Sequence, residues 1–355
     1  MQRTVSETKQ ELNPKVVSGH TPPDILGGSW SIQRILDQRR RRNFHDVLLC
    51  EDGQTAVAVS MRNGRPLVET FEVGEAVVKE VIAPDVATLA LAHAQIIGRS
   101  LWFFSGEGFV VQELSLDDWT CRRRQSLQNL FPAGEQPFGI FFVPRTPIVW
   151  IETYLDDEFR LRVISLDETR VLRSFSDHEL TVPVWGTNPA KIVMGLAEKA
   201  ATILNTDGSQ SIVLEKTEDW LFYQVTVGPW GEGFLASRLL VGRHGNELVV
   251  FDAQGELRSR TPTDADEVFW GLVTLPSEGC TLVTTHNKRT GIERIWSYVY
   301  TEHGLELNGM CTVPRGHLIQ NSASTAAAYV CRKENGDLQV QAVPLVNGLH
   351  ARKSA

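Results

Sequence analysis

The arginines of this sequence are its most evident candidates for binding chemistry. Arg39–Arg42 form an unbroken run, and Phe44 and His45 follow it closely. A guanidinium group pairs with a phosphate or a carboxylate through two parallel hydrogen bonds, so the run predicts a site for an anionic partner. The formal net charge of -8 argues against a general nucleic-acid binder, and only Phe44 offers an aromatic ring beside the run for stacking on RNA bases. We therefore favour an acidic or phosphorylated protein segment as the partner.

Motifs for catalysis and metal binding are missing from the sequence. It contains no GxSxG nucleophile elbow, no HExxH zinc motif and no Walker phosphate loop. The nine histidines are scattered, and the five cysteines form no CxxC pair. We therefore predict no catalytic residue, no cofactor and no metal site, and we favour a role other than that of an enzyme.

Two acidic clusters are the remaining candidates for cation binding. They are Asp156-Asp157-Glu158 and Asp264-Ala265-Asp266-Glu267. Both lack the central glycine and the terminal glutamate of an EF-hand loop. We expect both clusters to be solvated turns.

The cysteines and the apolar segments indicate a compartment. Five widely spaced cysteines do not form a disulfide framework, which predicts a reducing, cytoplasmic environment. The most apolar stretch, 86–97, is interrupted by His93 and Gln95 and is shorter than the roughly 20 residues that a membrane-spanning helix needs. We therefore expect no membrane partner.

The candidate binding residues must be positioned by strands, which the sequence shows as short apolar runs. Runs of five to eight residues alternate with Gly, Asp, Asn and Pro, a pattern typical of strands joined by hairpins. One strongly apolar run recurs seven times, and successive copies begin 44, 47, 45, 42, 47 and 45 residues apart. The copies begin at Thr55, Arg99, Thr146, Lys191, Gly233, Cys280 and Thr325. Seven units with this period predict an all-β, seven-bladed β-propeller with four antiparallel strands per blade.

Tight polar turns repeat in the same phase and indicate how the ring closes. In six units a turn precedes the fourth strand, whereas the seventh unit ends with Leu338–Leu345 and lacks that strand. The six turns are at Gly74, Asp117-Asp118, Asp167-Glu168, Asp207-Gly208, Gln254-Gly255 and His303-Gly304. The alternating segment Trp30–Leu36 is the candidate for the missing strand, because a closed ring leaves no sheet edge exposed. We thus divide the chain into a flexible arm (1–27), a propeller (28–345) and a polar tail (346–355).

The period and the closure resemble those of the seven-bladed, WD40-like β-propeller superfamily over residues 30–345. The repeats are degenerate, since the Gly-His opening and the Trp-Asp ending of typical repeats are absent. In size the chain is also similar to divergent bacterial propellers encoded beside MoxR-type AAA ATPases and von Willebrand A-domain proteins. The resemblance implies a rigid platform for other macromolecules.

Ring closure would make blades 6, 7 and 1 neighbours and gather basic residues on one arc of one face. The predicted basic arc is Arg39, Arg40, Arg41, Arg42, Arg62, Arg65, Lys288, Arg289, Arg315, Arg332 and Lys333. The predicted acidic arc of blades 2 to 4 is Glu107, Glu135, Asp156, Asp157, Glu158, Asp177, Glu179 and Glu218. A face with two such arcs would orient a charged partner during docking.

The function we predict is therefore a non-catalytic protein-interaction platform, a scaffold or adaptor that docks a charged partner on one face. Two alternatives remain. One is a lactonase-type or hydrolase-type propeller with a site in its channel, for which His93, His286 and His317 would be the candidates. The other is an RNA-binding propeller that uses the basic arc.

Four aromatic–glycine pairs also recur at roughly the blade period. They are Phe138-Gly139, Trp185-Gly186, Trp230-Gly231 and Trp270-Gly271, and they do not occupy one equivalent position in their units. We expect their rings to pack between blades, as large aromatic side chains usually do. A ring of ligand-stacking tryptophans at the channel mouth is the alternative.

Overall fold

The seven recurring apolar runs all form the second strands of separate antiparallel sheets in the computed structural model. Six of the sheets have four strands and one has three, which confirms the predicted seven-bladed propeller. The structure describes residues 46–62, 65–74, 77–82, 93–105, 109–143, 146–156, 158–176, 181–184, 186–187, 190–194, 200–214, 220–240, 246–264, 266–332 and 338–343.

The first three blades follow one another along the chain, each with its strands in sequence order across the sheet. Blade 1 contains β1 (Asp46–Leu49), β2 (Thr55–Arg62), β3 (Arg65–Glu72) and β4 (Val77–Ile82). Blade 2 contains β5 (His93–Ile97), β6 (Ser100–Ser105), β7 (Val110–Ser115) and β8 (Cys121–Ser126). Blade 3 contains β9 (Gln136–Phe142), β10 (Ile148–Leu155), β11 (Glu158–Ser165) and β12 (Arg170–Ser176).

The remaining blades repeat the order until the last. Blade 4 contains β13 (Thr181–Val184), β14 (Lys191–Met194), β15 (Thr202–Asn205) and β16 (Gln210–Val213). Blade 5 contains β17 (Trp220–Val227), β18 (Phe234–Leu240), β19 (Asn246–Phe251) and β20 (Leu257–Pro262). Blade 6 contains β21 (Glu267–Leu275), β22 (Cys280–Asn287), β23 (Glu293–Thr301) and β24 (Gly304–Val313). Blade 7 contains β25 (Gly316–Gln320), β26 (Ala327–Arg332) and β27 (Leu338–Ala342).

Helical structure within the described residues is limited to three single 3-10 turns. These turns are Gln128–Leu130, Pro229–Gly231 and Pro276–Glu278. The six predicted polar turns all connect the third and fourth strands of their blades. In each of these six blades the pairing of those strands also contains a register shift, which adds twist at the outer edge.

The hydrophobic core is divided into seven clusters, and each cluster fills the junction between two neighbouring blades. The inner strands are buried on both faces, so their apolar residues come in runs instead of alternating with exposed polar ones. In β19, for example, all six residues are buried. Sandwiching each sheet between two others therefore explains why the repeat was visible in the sequence.

The ring closes where blade 7 meets blade 1. A shared core cluster there joins Val47, Leu49 and Phe71 of blade 1 to Val330 and Val340 of blade 7. The Gly74 amide, just after β3, also donates a 2.8 Å hydrogen bond to the carbonyl oxygen of Val340. Blades 6, 7 and 1 are therefore neighbours, as the closed ring requires. The proposed closing strand Trp30–Leu36, the arm 1–27 and the tail 346–355 lie outside the described residues.

Alternating strand direction places the connections on two opposite faces of the ring. Connections from the second to the third strand of a blade, and from one blade to the next, lie on what we call the loop face. Connections between the first and second strands, and between the third and fourth, lie on what we call the turn face. These two faces are the surfaces available for docking.

Candidate functional site

Lys288 and Arg289 lie on the loop face in a turn that Asn287 holds in place. The Asn287 side-chain oxygen accepts hydrogen bonds from the amides of Arg289 and Thr290, at 3.1 and 3.0 Å. The Lys288 amide donates to the carbonyl oxygen of Asp266, at 2.9 Å. Both cationic side chains are exposed. Partial burial lowers the pKa of Lys288, and the Asp266 carboxylate opposes that shift.

Asp266 is also the ion-pair partner of Arg289. The Arg289 Nε atom lies 3.0 Å from Asp266 Oδ2. The sequence predicted a solvated turn at 264–267; Asp264 is exposed as expected, whereas Asp266 is only partly exposed and adjoins the basic turn. The two segments meet because the connection into blade 6 runs beside the β22–β23 turn. The Asp266 carboxylate therefore partly compensates the positive charge of Arg289.

Glu267, in the same predicted cluster, is not solvated. It is only 3% exposed and begins β21. Its carboxylate accepts hydrogen bonds from Asn287 Nδ2 at 2.8 Å, from the Thr285 hydroxyl and from the Arg294 guanidinium. The Trp296 indole N–H in turn donates to the Thr285 hydroxyl, at 2.8 Å. A buried ionic network thus fixes the base of the Lys288–Arg289 turn.

Arg315 lies on the same face in the connection that enters blade 7. Its side chain is 81% exposed, and its Nε atom lies 3.9 Å from the buried Glu293 carboxylate. Glu293 also accepts a 3.0 Å hydrogen bond from the Gly316 amide. The Tyr329 hydroxyl donates to the Pro314 carbonyl oxygen at 2.6 Å, while burial and nearby Glu293 raise the pKa of Tyr329. Glu293 and Tyr329 therefore hold the connection that carries Arg315.

A Glu–Thr–Arg trio with constant spacing supports the loop face in two blades, and a third blade has an ion pair at the equivalent positions. In blade 3, Thr153 and Arg162 donate hydrogen bonds to Glu135. In blade 6, Thr285 and Arg294 donate to Glu267. In both blades the threonine is 18 residues and the arginine 27 residues after the glutamate. The equivalent positions in blade 5 hold Trp220, Arg238 and Glu247. There the guanidinium stacks over the indole and pairs with the carboxylate. Sequence reasoning missed this repeat, although its spacing was visible.

The acidic arc predicted for blades 2 to 4 is contradicted at Glu135. Glu135 is 5% exposed and paired with Arg162, so its charge is compensated inside the protein. Glu158 pairs with Arg160 at 3.1 Å, whereas Asp156 is exposed. Glu107, Asp157, Asp177, Glu179 and Glu218 lie outside the described residues.

Much of the predicted basic arc also falls outside the described part of the chain. This holds for Arg39, Arg40, Arg41, Arg42 and Lys333. The backbones of Arg62 and Arg65 pair with each other where the β2–β3 connection reaches the loop face, and Arg332 ends β26 on that face. The structure thus places Lys288, Arg289 and Arg315 in neighbouring blades on the loop face. The backbones of Arg62, Arg65 and Arg332 reach the same face.

The turn face has mainly acidic connections, which sequence reasoning did not find, and arginines near strand ends pair with some of these carboxylates: Arg123 with Asp167, Arg170 with Glu168 and Arg258 with Asp252. Among its described connections, Arg99 is the only Lys or Arg residue. The acidic residues there are Glu51, Asp52, Asp117, Asp118, Asp167, Glu168, Asp207, Glu232, Asp252, Glu256, Glu278 and Glu302. They escaped notice because they are spread over separate turns between residues 51 and 302.

The aromatic–glycine pairs divide into two kinds, as their unequal phase suggested. Phe138 and Trp270 are in the first strands β9 and β21, where each is the extra residue of a register shift. Trp230 instead lies in the β17–β18 turn and is 58% exposed, yet its ring also contacts Tyr300 of blade 6, so the expected packing between blades holds for part of the ring. Trp185 lies outside the described residues.

Potential metal ligands do not converge within the described ranges. No group of three or more His, Cys, Asp or Glu side chains there could hold a metal ion. His286 lies 3.9 Å from the Glu293 carboxylate, and His317 is in β25. All five cysteines are free thiols. In the described part of the chain, no helix is both long and apolar enough to cross a membrane.

Comparison with solved structures finds many chains of similar architecture. The chain is similar to a structure of Kuenenia stuttgartiensis hydrazine synthase (TM-score 0.57, 12% identity, covering 84% of this chain and 95% of that one). It is also similar to the β-propeller domain of Cps50 (Swd1) from Myceliophteria thermophila (TM-score 0.55, 12% identity, 84% and 95%). The C-terminal WD40 domain of Sif2 is a third neighbour (TM-score 0.51, 10% identity, 84% and 80%).

Sequence comparison adds no family to this structural likeness. No protein-family model matches the chain, and no curated protein matches it. At 10–12% identity the neighbours establish the fold, a propeller of the kind found in WD40 domains.

Proposed function

We propose that this protein is a non-catalytic docking platform whose loop face holds an acidic or phosphorylated segment of a protein partner. One observation carries the proposal: Lys288, Arg289 and Arg315 emerge from neighbouring blades onto one face, each on a connection fixed by buried polar groups. Such preorganisation lowers the cost of ordering side chains when a partner binds.

The chemistry of these cations suits an anionic ligand. A guanidinium has five N–H donors, and the Asp266 contact engages only the Nε edge of Arg289. The Arg315 side chain is largely exposed, and its 3.9 Å distance from the Glu293 carboxylate is near the upper limit for an ion pair. The positions of Arg62, Arg65 and Arg332 would extend the basic surface, as would Arg39–Arg42 and Lys333 if they fold onto the same arc.

The structural neighbours support a platform without deciding it. Two of them are propeller domains, of Cps50 (Swd1) and Sif2, whereas the third is from hydrazine synthase, so the same fold occurs in an enzyme. Function has to be argued from the site because fold alone does not determine it. The arrangement on the loop face presents charge and hydrogen-bond donors for binding.

A peptide-binding experiment tests the proposal. The probes are fluorescent ten-residue peptides of Glu and Ser, with and without phosphoserine, followed by anisotropy at several salt concentrations. The test variant is Lys288→Glu, Arg289→Glu, Arg315→Glu. The matched control reverses three arginines of the outer strands β8 and β20: Arg122→Glu, Arg124→Glu, Arg258→Glu. We expect the test variant to weaken binding about tenfold or more and the control to weaken it much less.

Three outcomes would overturn the proposal. The first is equal weakening by both triple variants, which would mean that only overall charge matters. The second is binding that is indifferent to salt, because exposed charge pairs are screened. The third is tighter binding of a ten-nucleotide single-stranded RNA than of either peptide, which would favour the RNA-binding alternative.

A further inference from the structure

Two tryptophans on the turn face, Trp119 and Trp230, have an unusual backbone conformation with positive φ, and Trp230 is the exposed one of the two. Trp230 is the most exposed large hydrophobic side chain in the described residues, at 58%. Its backbone is left-handed, with φ 58° and ψ 17°. A bulky residue in that region costs about 1–3 kcal/mol and persists only where its surroundings impose it. Strain of this kind concentrates at functional sites.

The turn around Trp230 is built to hold it in this position. The Gly228 amide donates to the Gly233 carbonyl oxygen at 3.0 Å, and the Gly231 amide donates to the Gly228 carbonyl oxygen at 3.1 Å. Gly233 has φ +62°, and a Cβ there would lie 2.2 Å from the Phe251 carbonyl oxygen. Only glycine fits this position, so the turn is closed tightly beneath the exposed indole.

Blade 6 fixes the orientation of the indole. The Trp230 and Tyr300 rings meet edge to face, with centroids 5.0 Å apart and an angle of 81° between their planes. A Cβ added to Gly279 would lie 3.1 Å from Trp230 Nε1, so the indole rests against that glycine. Two aromatic rings from neighbouring blades thus form one rigid, partly exposed pair.

Carboxylates lie close to this aromatic pair in the sequence, in connections of the same face. Glu232 follows Trp230 in the same turn, Glu278 precedes Gly279, and Glu302 follows Tyr300 in the next turn. On the wider turn face, eight of the thirteen connections contain at least one carboxylate among the described residues. A negative face of this kind attracts cations and repels nucleic acid.

We propose that Trp230, Tyr300, Glu232, Glu278 and Glu302 form an aromatic–acidic patch that binds a lysine or arginine of a basic protein segment. The cation lies over the exposed indole face, where the ring quadrupole attracts it. The carboxylates draw the basic segment to the face and set its orientation. This site is on the opposite side of the ring from the loop-face cations, so it goes beyond the proposed function and does not depend on it.

Anisotropy with a fluorescent ten-residue peptide of Arg, Lys and Ser tests the patch. The main variant is Trp230→Gly, which removes the ring and also relieves strain, because glycine accepts a positive φ. We expect it to fold normally and to bind the peptide about 2- to 30-fold more weakly, the range given by cation–π energies. Trp230→Phe should retain part of the binding.

Matched controls separate the patch from general attraction. Leu307→Ala removes another exposed hydrophobic side chain, 55% exposed on β24, and should leave binding unchanged. Combined Glu232→Gln, Glu278→Gln and Glu302→Gln should weaken binding and make it less dependent on salt, whereas Asp156→Asn on the loop face should not.

The proposal fails if Trp230→Gly binds the basic peptide as tightly as the native protein, even when the glutamine variants bind less. That result would indicate general electrostatic attraction. It also fails if the native protein does not bind the peptide, or if it binds the Glu-Ser peptide through Trp230. Loss of acidic-peptide binding in the loop-face variant has no bearing on this test, so the two proposals can fail separately.

Discussion

Arg238 and Glu247 form an ion pair enclosed within blade 5. The Arg238 Nε and Nη2 atoms both donate to Glu247 Oε1, at 2.9 and 2.6 Å, and the two residues are 0% and 4% exposed. The guanidinium also lies over the rings of Trp220, Phe222 and Phe251, at 5.6–6.0 Å from their centroids. Charge, hydrogen bonding and aromatic packing therefore meet at one buried position.

Breaking this pair on one side should be far more harmful than replacing it. We expect Glu247→Ala to lower the free energy of unfolding by about 3–5 kcal/mol, because it leaves a buried guanidinium without its carboxylate. The double variant Arg238→Met, Glu247→Leu should recover most of that loss. Urea unfolding followed by tryptophan fluorescence gives both values.

An exposed pair supplies the comparison. Arg258 and Asp252 are also ion-paired, but the arginine side chain is 55% exposed, so Arg258→Met should cost no more than about 1 kcal/mol. If Glu247→Ala costs as little as Arg258→Met, the buried pair does not stabilise the blade in the way described.

Sequence reasoning recovered the propeller because the signals for strands and turns are local. The second strand of each blade contains an apolar run, since neighbouring blades cover both of its faces, and glycine or aspartate marks each tight turn. The Arg238–Glu247 pair was missed for the opposite reason. Charged residues inside apolar strands suggest exposure, and only the folded blade shows that aromatic rings from the two strands beside β18 enclose the guanidinium.

The two faces differ in how far the sequence could describe them. Lys288, Arg289 and Arg315 were assigned to one face from strand order alone, but their proximity to Asp266 and Glu293 depends on connections of different blades. The acidic turn face escaped notice because no single turn carries more than two acidic residues among those described. The fixed spacing of 18 and 27 residues from Glu135 and Glu267 was a usable signal.

Cys50 should make the protein less stable in alkali. Burial, with a smaller effect of Asp52, raises the pKa of Cys50 from 9.0 to about 12. Above pH 9 the unfolded chain loses this proton while the folded chain keeps it, so the folded state binds more protons and its stability falls as pH rises. The contribution is complete below pH 9 and is lost as pH rises toward 12.

The variant Cys50→Ala should make this decline shallower. Urea midpoints measured between pH 8 and pH 11 give the slope, and Cys121→Ala is the control because Cys121 is exposed. A slope that is the same in the native protein and in Cys50→Ala would show that Cys50 is not protonated selectively in the folded state. In the native protein at neutral pH, thiol reagents should modify Cys121 well before Cys50.

Gly233 and Gly291 offer a matched pair of glycine substitutions. Both have positive φ, +62° and +71°, but a Cβ at Gly291 meets no atom within 4 Å, whereas at Gly233 it meets backbone. Gly291→Ala should cost about 1 kcal/mol from the backbone conformation alone. Gly233→Ala should cost several times more, because the β17–β18 turn has to open. Comparable thermal midpoints for the two variants would contradict this account of the turn that holds Trp230.

The last prediction concerns the edge of blade 7. Within the described residues, β27 pairs with β26 alone, so blade 7 has three strands where its neighbours have four. We predict that Trp30–Leu36 supplies the fourth, because an uncovered edge strand promotes aggregation. Deleting residues 1–36 should then produce aggregates on size-exclusion chromatography with light scattering, whereas deleting 1–26 should leave the protein as it was. A monodisperse 1–36 deletion with an unchanged thermal midpoint would mean that this segment does not close the ring.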